Sequence, residues 1–449
     1  MADVLTPIRV LWTRRRLEKS CAWSRAQLDA HHARQLTLLR RFAIERSPFY
    51  RQFHKGLENR PLADLPILTK ATMMESFDDL ITDRAVRLAD AETHLRDNAG
   101  PELFRGRYVV LSTSGSTGRR GVFLFSRSEW IEALANIARP MVWAGFPMRF
   151  SKPPRAAMIA SRTPWHYSAR VTESLSNRLM PVLHLDAAEP VATMVPKLNE
   201  WQPATLTGYP SALRQLVDEQ IAGRLTIRPG VVATSAEVLT AETRRRVEKA
   251  WGARVFDTYG ATEYAPIAAE CAHGRRHLVE DGALIEVVDE RGRPVPPGEP
   301  GDKVLLTVFD RRTQPLIRYE LSDVLRLDSA SCECGRPFRI LASIEGRVEE
   351  VLTFGAVSVH PNVFHEVLET VPAAGWQVIH EDSGLRINLT SLRDPSLCES
   401  IGRQVRERLE RDGVQVHIEV RTVDALERGA TGKAPLVMSK TGTRNAAIA

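Results

Sequence analysis

Long apolar runs are missing from this chain of 449 residues. A membrane-spanning helix needs roughly 20 consecutive, mostly apolar residues, and no stretch of the sequence approaches that length. The N-terminal region also lacks the apolar core of a secretory signal, because Arg14-Arg15-Arg16 follows only a brief apolar segment. We therefore expect a cytoplasmic protein that does not bind membranes.

Cysteine is scarce, with five residues in the whole chain, so a disulfide scaffold is excluded. A strong charge of one sign is also missing: 61 basic residues face 55 acidic ones, for a net charge of +6. The basic residues are dispersed among acidic ones and form no long block. We therefore expect no nucleic-acid partner, although anionic small molecules remain suitable substrates.

Hydrophobic residues make up 43% and charged residues 26% of the chain, as in ordinary globular proteins. The length exceeds what a single hydrophobic core usually supports. We predict a large domain over residues 1–345 and a small domain over residues 346–449, with the boundary near Gly346-Arg347.

The first two thirds of the chain alternate between helical and strand patterns. Residues 8–50 have a helical pattern that Pro48 is expected to close. Ser126 and Glu129 form a capping box at the start of a helix, and a second helix covers residues 241–251. This alternation predicts an α/β fold with mostly parallel sheets flanked by helices.

The last third of the chain has different secondary-structure patterns. Residues 304–307 and 316–319 alternate like antiparallel strands and predict a β subdomain. Beyond them, the sequence predicts a hairpin over residues 377–389, a helix over residues 396–411 and a strand over residues 414–418. These elements predict a compact α+β unit.

A turn rich in hydroxyl groups and glycine follows the apolar run at residues 108–111. It reads Thr113-Ser114-Gly115-Ser116-Thr117-Gly118. Successive backbone amides in such a turn can form an anion-binding concavity, and glycine lets the main chain approach a phosphate. No Gly-Lys-Ser/Thr follows, which disfavours a Walker-type nucleotide site. The alternative is an ordinary solvated turn.

Three further motifs follow in order: residues 257–263 (DTYGATE), residues 315–323 (PLIRYELSD) and residues 432–435 (GKAP). The ordered set resembles the adenylate-forming superfamily of acyl-CoA synthetases, adenylation domains and luciferases. Within it, the chain most resembles the phenylacetate–CoA ligase branch, to which residues 332–336 (CECGR) and 346–350 (GRVEE) also point. The resemblance covers nearly the whole chain.

This resemblance implies an enzyme that activates a carboxylic acid with ATP, releases pyrophosphate and passes the acyl group to coenzyme A. The acid is expected to be of the aryl or arylacetic type, and the small domain is expected to be mobile. One alternative is transfer to an amine or a carrier-protein thiol. Another is a catalytically silent nucleotide-binding regulator, suggested by Arg119-Arg120 and Glu320-Leu321-Ser322, which depart from the family pattern. Assembly as a homodimer is left open.

The resemblance also assigns roles to individual residues. Lys433 is the expected adenylation catalyst, Glu263 is expected to act in catalysis by holding Mg²⁺, and Glu349 is the expected hinge, where the family usually has aspartate. The residues expected to bind ATP or AMP are Thr113, Ser114, Gly115, Ser116, Thr117, Gly118, Ser235, Ala236, Glu237, Tyr259, Gly260, Thr262, Asp323 and Arg347.

The acyl pocket is less clearly marked in the sequence. We expect His166, Tyr167, Tyr209 and Pro210 to line it, because they lie between the nucleotide motifs. Aromatic side chains suit a flat apolar substrate, but they suit a hydrophobic core equally well.

Two short groups of cysteine and histidine have the spacing of metal ligands. Zn²⁺ takes four such ligands, and we predict Cys271, His277, Cys332 and Cys334, with His273 as the competing imidazole. Some members of the branch resemble this arrangement and hold a structural zinc. Buried, reduced cysteines without a metal are the alternative.

Overall fold

The computed structural model describes residues 5–97, 100, 102–113, 120–145, 155–177, 180–347, 350–355, 357–359, 361–368, 370–373, 375–392, 394–429 and 432–441. Contacts divide the chain into two compact units. The first unit comprises Met1–Pro153, Arg162–Met180 and Asp257–Ile344. The second unit comprises Pro154–Ser161, Pro181–Phe256 and Glu345–Ala449.

The helices are α1 Leu5–Glu18, α2 Arg25–Arg46, α3 Pro48–Phe53, α4 Lys70–Glu75, α5 Phe77–Leu80, α6 Leu88–Asp97, α7 Arg127–Trp143, α8 Tyr167–Leu175, α9 Val191–Trp201, α10 Pro210–Ile221, α11 Ala241–Trp251, α12 Asn362–Leu368 and α13 Leu397–Arg411. Short 3₁₀ turns cover Lys19–Ala22 and Leu62–Asp64. Among the residues described above, no helix combines the length and the apolar character needed to cross a membrane.

The strands are β1 Tyr108–Ser112, β2 Val122–Ser126, β3 Ala156–Ala160, β4 Val182–Asp186, β5 Thr205–Gly208, β6 Val231–Ser235, β7 Arg254–Tyr259, β8 Ala268–Glu270, β9 Arg276–Leu278, β10 Ala283–Val288, β11 Lys303–Val308, β12 Leu316–Leu321, β13 Asp323–Asp328, β14 Ile340–Arg347, β15 Leu352–Phe354, β16 Val357–Val359, β17 Gly375–Glu381, β18 Gly384–Thr390, β19 Ile418–Val423 and β20 Val437–Ser439.

Local sequence signals explain several helix ends. The hydroxyl of Ser126 accepts the backbone N–H of Glu129, and the Glu129 carboxylate accepts the N–H of Ser126, so the predicted capping box starts α7. The expectation that Pro48 closes the first helical region is wrong. Helix α2 ends at Arg46, and Pro48 is the first residue of α3, because proline at this position loses no helical hydrogen bond.

Antiparallel pairing predominates in the first unit. Strands β1 and β2 form a hairpin, and β10, β11 and β12 form an antiparallel sheet that confirms the predicted β subdomain. A further sheet runs in the order β13-β14-β9-β8-β7, with antiparallel pairing of β14 to β9, of β9 to β8 and of β8 to β7. One large apolar core, with Leu28, Phe123 and Tyr319 among its members, joins these strands to helices α2 and α7.

The second unit contains the parallel part of the fold. Strands β6, β5, β3 and β4 lie in that order with parallel pairing of β6 to β5, β5 to β3 and β3 to β4. Their core includes residues of α9, α10 and α11. A second core lies under the sheet β19-β18-β17-β20 and includes residues of α12 and α13. The α/β class is therefore confirmed.

The hairpin predicted over residues 377–389 is formed by β17 and β18, and α13 begins one residue later than predicted. The strand predicted over residues 414–418 is wrong, because β19 begins only at Ile418. Val414 is buried in the core below α13, so its apolar character reflects packing before the strand and not pairing within it. The division into domains at residue 345 stays a prediction.

Candidate active site

The turn rich in hydroxyl groups and glycine leaves β1 at Thr113. The Thr113 N–H donates to the carbonyl of Gly121 at 3.0 Å, and the Gly121 N–H donates to Thr113 Oγ1 at 2.9 Å. These reciprocal bonds fix both ends of the turn at the head of the β1–β2 hairpin. The predicted phosphate-binding residues Ser114 to Gly118 lie outside the described residues.

A second predicted nucleotide segment follows β7. Tyr259 ends this strand and is buried. Gly260 comes so close to Ala265 that a Cβ at position 260 would lie 3.0 Å from the Cβ of Ala265, which accounts for the glycine. In this tight turn Thr262 is half-buried and Glu263 is 3% exposed.

Glu263 is a buried acid in the first unit. Its Oε1 accepts a hydrogen bond from the Tyr319 hydroxyl at 3.0 Å. Burial raises the pKa of Glu263 above its usual 4.5, whereas the charge of Lys70 and the bond from Tyr319 act to lower the pKa. A nearby cation stabilises the ionised form of such a buried carboxylate. Its chemistry therefore fits the predicted Mg²⁺ contact, because Mg²⁺ takes one or two carboxylates together with phosphate oxygens.

Two other predicted nucleotide residues lie at strand ends. Asp323, the expected ribose contact, is the first residue of β13 and is buried. Arg347 is the last residue of β14. The expected hinge, Glu349, lies outside the described residues.

The predicted acyl-pocket residues divide between the two units. His166 and Tyr167 stand at the start of α8 in the first unit. The Tyr167 ring packs edge-on against Phe125 and Trp130, and burial raises the pKa of its hydroxyl. Tyr167 also lines a small cavity together with Arg311. It therefore belongs to an aromatic cluster with a small cavity beside it.

Tyr209 and Pro210 lie in the second unit, where Pro210 begins α10. The hydroxyl of Tyr209 accepts the backbone N–H of Ser161 at 3.1 Å, which holds the ring in place. The Lys433 ammonium lies 5.8 Å from the centre of this ring, within the range of a cation–π contact. Sequence reasoning placed Tyr209 and Lys433 in different sites, and the structure brings them together.

Glu237, which was predicted to bind the nucleotide, contacts the segments that carry Tyr209 and Lys433. It follows Ala236, whose φ of 68° is a left-handed conformation that residues other than glycine rarely adopt. The Glu237 carboxylate accepts the backbone N–H of Ser211 at 2.9 Å and the hydroxyl of Ser211 at 3.0 Å. It also accepts the N–H of Ala434 at 2.7 Å, directly after Lys433.

Sequence reasoning missed the residues that hold these side chains. Tyr319 stands within a recognised motif, but nothing in the motif pairs it with Glu263. Gln377 is a fully buried amide in β17, and Arg428 precedes the Lys433 turn. A polar residue inside an apolar strand pattern is the signal that could have singled out Gln377.

The four predicted zinc ligands come together in the first unit. One ligand atom each from Cys271, His277, Cys332 and Cys334 lies within 4.8 Å of all the others. The sulfurs of Cys271 and Cys332 are 3.7 Å apart, close to the spacing of about 3.8 Å that two thiolates take in a tetrahedron with Zn–S bonds of about 2.3 Å. The Cys334 sulfur lies 3.2 Å from His277 Nε2.

The surroundings of His277 favour ligation through Nε2. Its Nδ1 lies 3.2 Å from the carbonyl of Phe338, so a proton on Nδ1 leaves the Nε2 lone pair facing the sulfurs. Burial lowers the pKa of His277, which favours the neutral ring that a metal requires. The competing His273 instead lies on the surface 3.4 Å from Glu333. The cluster therefore contains His277 and not His273.

Comparison with known proteins gives matches over most of the chain. A family model described as "AMP-binding enzyme" matches residues 106–305. The phenylacetate-coenzyme A ligase of Thermus thermophilus is 25% identical over 366 residues, which cover 78% of this chain and 76% of that protein. The phenylacetate-coenzyme A ligase of Pseudomonas putida is 26% identical over 363 residues, 76% of each chain.

Among solved structures, 2-hydroxyisobutyryl-CoA ligase in the postadenylation state matches with a TM-score of 0.73. The two sequences are 20% identical, and the match covers 94% of this chain and 91% of that one. This likeness supports the fold. The family model and the curated relatives show that the chain is similar to AMP-binding enzymes and to phenylacetate-coenzyme A ligases, which agrees with the order of the motifs from Thr113 to Lys433.

Proposed function

We propose that the chain joins a carboxylic acid to coenzyme A in two half-reactions. First, a carboxylate oxygen of the acid attacks the α-phosphorus of ATP. The bond from this phosphorus to the bridging oxygen breaks, and pyrophosphate leaves. Second, the sulfur of coenzyme A attacks the acyl carbon of the mixed anhydride, the bond to the phosphate oxygen breaks and AMP leaves. Residues 346–449 act as a small mobile domain that presents Lys433 for the first half-reaction.

The position of Lys433 carries this proposal. Its turn follows the order of motifs at the expected distance along the chain, and its ammonium lies beside Tyr209 and next to the Glu237 contact of Ala434. An ammonium placed between a substrate carboxylate and the α-phosphate offsets the negative charge of both. Removal of one such preorganised donor typically lowers a rate by about 10²–10³-fold.

We also assign nucleotide-binding roles to residues of the first unit. The turn that starts at Thr113 binds the β- and γ-phosphates, and Asp323 accepts hydrogen bonds from the ribose hydroxyls. Glu263 would hold Mg²⁺, which supplies positive charge to the phosphate oxygens when it is bound. The burial of Glu263 and its bond from Tyr319 keep that carboxylate in one orientation.

We further propose that the acid is of the aryl or arylacetic type. The support comes from the relatives named phenylacetate-coenzyme A ligases and from the aromatic rings of Tyr167 and Tyr209 among the predicted pocket residues. Cytoplasmic location and the absence of a nucleic-acid partner remain part of this proposal.

A structural Zn²⁺ is also part of the proposal. Cys271, His277, Cys332 and Cys334 would hold it, since they supply four suitable ligand atoms and a backbone carbonyl orients the histidine. Four protein ligands leave no open position, so the metal would stabilise the fold locally and take no part in acyl transfer.

The test is a panel of carboxylic acids that includes phenylacetate, benzoate and aliphatic hydroxy acids. Each is incubated with the full chain, ATP, Mg²⁺ and coenzyme A, and pyrophosphate release is measured beside mass detection of the thioester. Lys433→Ala should lower acid-dependent pyrophosphate exchange by about 10²-fold or more. Lys249→Ala, at an exposed lysine of α11, is the matched control and should leave the exchange unchanged.

Other outcomes separate the rival functions. Pyrophosphate release with an amide or a carrier-bound product would change the acceptor and keep the first half-reaction. Nucleotide binding with no acid-dependent pyrophosphate release would contradict the proposed function and indicate a regulatory protein.

A further inference from the structure

The turn that carries Lys433 is held at both ends by one buried side chain. Gln377, in β17, donates from its amide nitrogen to the carbonyl of Glu427 at 3.0 Å and to the carbonyl of Pro435 at 2.8 Å. Its amide oxygen accepts the N–H of Glu427 at 3.0 Å. The amide thus uses both of its N–H donors, and the turn is fixed to the sheet of its own segment.

A second set of contacts fixes the same turn to another segment of the second unit, residues 181–256. The Arg428 guanidinium donates to the carbonyl of Ala187 and, at 2.9 Å, to Oε1 of Gln215. We call Arg428, Ala187 and Gln215 the arginine clasp. Two N–H groups of one rigid fork reach two acceptors, a geometry that lysine cannot reproduce.

The backbone beside the clasp is in close contact. Gly432 has a φ of 77°, and a Cβ at this position would lie 2.7 Å from the carbonyl carbon of Ala187. On the other side of Lys433, the Ala434 N–H donates to Glu237. The residues on both sides of Lys433 therefore contact residues 181–256.

We propose that Arg428 is a positioning residue for the first half-reaction: the arginine clasp docks the Lys433 turn onto residues 181–256 and is released for the second half-reaction. This inference rests on the proposed function. Arg428 itself touches neither substrate nor nucleotide in this role, since its two bonds go to Ala187 and Gln215. Its effect reaches the chemistry through the position of the Lys433 ammonium.

The experiment compares the two half-reactions in Arg428→Ala. Hydrogen bonds from a charged group are stronger than neutral ones, so loss of the clasp should lower acid-dependent pyrophosphate exchange by about tenfold or more. Thioester formation from supplied acyl adenylate and coenzyme A should stay within about twofold, because the clasp is open in that step. Arg421→Ala removes an exposed arginine of β19 that pairs with Glu419, and it serves as the matched control.

Three further variants separate positioning from general damage. Gln215→Ala removes one acceptor and should lower the exchange less than Arg428→Ala does. The double variant should be no worse than Arg428→Ala alone, because both substitutions break the same bond. Arg428→Lys should recover only part of the loss, since an ammonium lacks the two-pronged geometry.

Hydrogen–deuterium exchange gives a readout that needs no activity. Arg428→Ala should speed exchange at the amide of Ala434 while the amides of α13 keep their protection. Equal losses in both half-reactions, or no loss in either, would overturn the inference. If the wild type shows no acid-dependent exchange of pyrophosphate, the proposed function fails. In that case, deuterium uptake at Ala434 still tests whether Arg428 docks the turn. Equal uptake in Arg428→Ala and the wild type would overturn the docking.

Discussion

The hydroxyl of Tyr319 donates a hydrogen bond to the carboxylate of Glu263 at 3.0 Å, and both side chains are buried. The two residues belong to different sequence motifs, 56 positions apart. The bond joins the turn after β7 to the strand that leads towards Asp323. Glu263, proposed to hold Mg²⁺, is thus bonded to β12. This strand directly precedes Asp323, which is proposed to bind the ribose.

Tyr319→Phe should weaken the first half-reaction by acting on Glu263. Burial already raises the pKa of Glu263, and the bond from Tyr319 opposes that rise. Without the bond the pKa of Glu263 rises further, so the ionised form that binds a cation is reached only at higher pH. We expect the acid limb of the pH profile of pyrophosphate exchange to move upward in pH and the Mg²⁺ requirement to increase.

Tyr108→Phe is the matched control for this substitution. Tyr108 is also a buried tyrosine, and its hydroxyl donates at 2.6 Å to Asp83, a residue with no role in the proposed site. Both variants lose one hydrogen bond, at a cost of about 1–2 kcal/mol in unfolding free energy. A pH profile that shifts equally in both variants would remove Tyr319 from the mechanism.

The features that sequence predicted best depend on neighbouring residues. The capping box of Ser126 and Glu129 spans three positions, and the hairpin of β17 and β18 follows from alternation around a short turn. The sequence also singled out the four side chains that the structure brings together, Cys271, His277, Cys332 and Cys334, because their two groups are each compact, and zinc binding by them stays a prediction.

The contacts that sequence missed join distant segments. Arg428 and Ala187 are 241 positions apart, and no local pattern specifies their pairing. The strand expected over residues 414–418 was misplaced because Val414 is buried by tertiary packing and not by strand pairing. Periodicity reports that a residue is buried, and it does not report which element covers it.

Metal analysis tests the cluster of Cys271, His277, Cys332 and Cys334. Protein purified without added metal should contain about one zinc per chain, as expected for a closed four-ligand site. Cys332→Ser should lose the zinc and lower the melting temperature by at least about 4 °C. In domains of this size, a loss of 1 kcal/mol in unfolding free energy lowers the melting temperature by about 2–4 °C. Cys398→Ser, at a cysteine outside the cluster, should keep the zinc. Well-folded wild-type protein without zinc would contradict the proposed site.

A pair of glycines tests the close contact at the Lys433 turn. Gly432 and Gly413 both have left-handed backbone, with φ of 77° and 80°. A methyl group at position 432 would collide with the backbone of Ala187, whereas one at position 413 would meet nothing within 4 Å. Both alanine variants carry similar conformational strain of about 1–2 kcal/mol, because both place a side chain on left-handed backbone. Only Gly432→Ala should lower pyrophosphate exchange, by tenfold or more if docking is lost, and equal activity in the two variants would contradict the contact.

Glu132 gives a prediction about stability. Its side chain lines the cavity beside Tyr167. Burial, together with the nearby charge of Asp310, raises the pKa of Glu132 from 4.5 to about 7, whereas the charge of Arg16 acts to lower the pKa. Because the folded-state pKa is the higher one, the folded chain keeps a proton that the unfolded chain releases. The resulting stabilisation is complete below pH 4.5 and is lost as pH rises through about 7.

Glu132→Gln should therefore stabilise the protein mainly at alkaline pH. At pH 8 the free energy of unfolding should rise by about 1–2 kcal/mol, a value reduced from the full pKa difference because the side chain is partly exposed. At pH 5 the change should be small, since the wild-type carboxyl is already neutral in the folded state. Urea unfolding at both pH values measures the difference, and Glu92→Gln, at an exposed position of α6, is the control. An equal change at pH 5 and pH 8 would show that Glu132 is ionised throughout and that its pairing with Arg16 outweighs its burial.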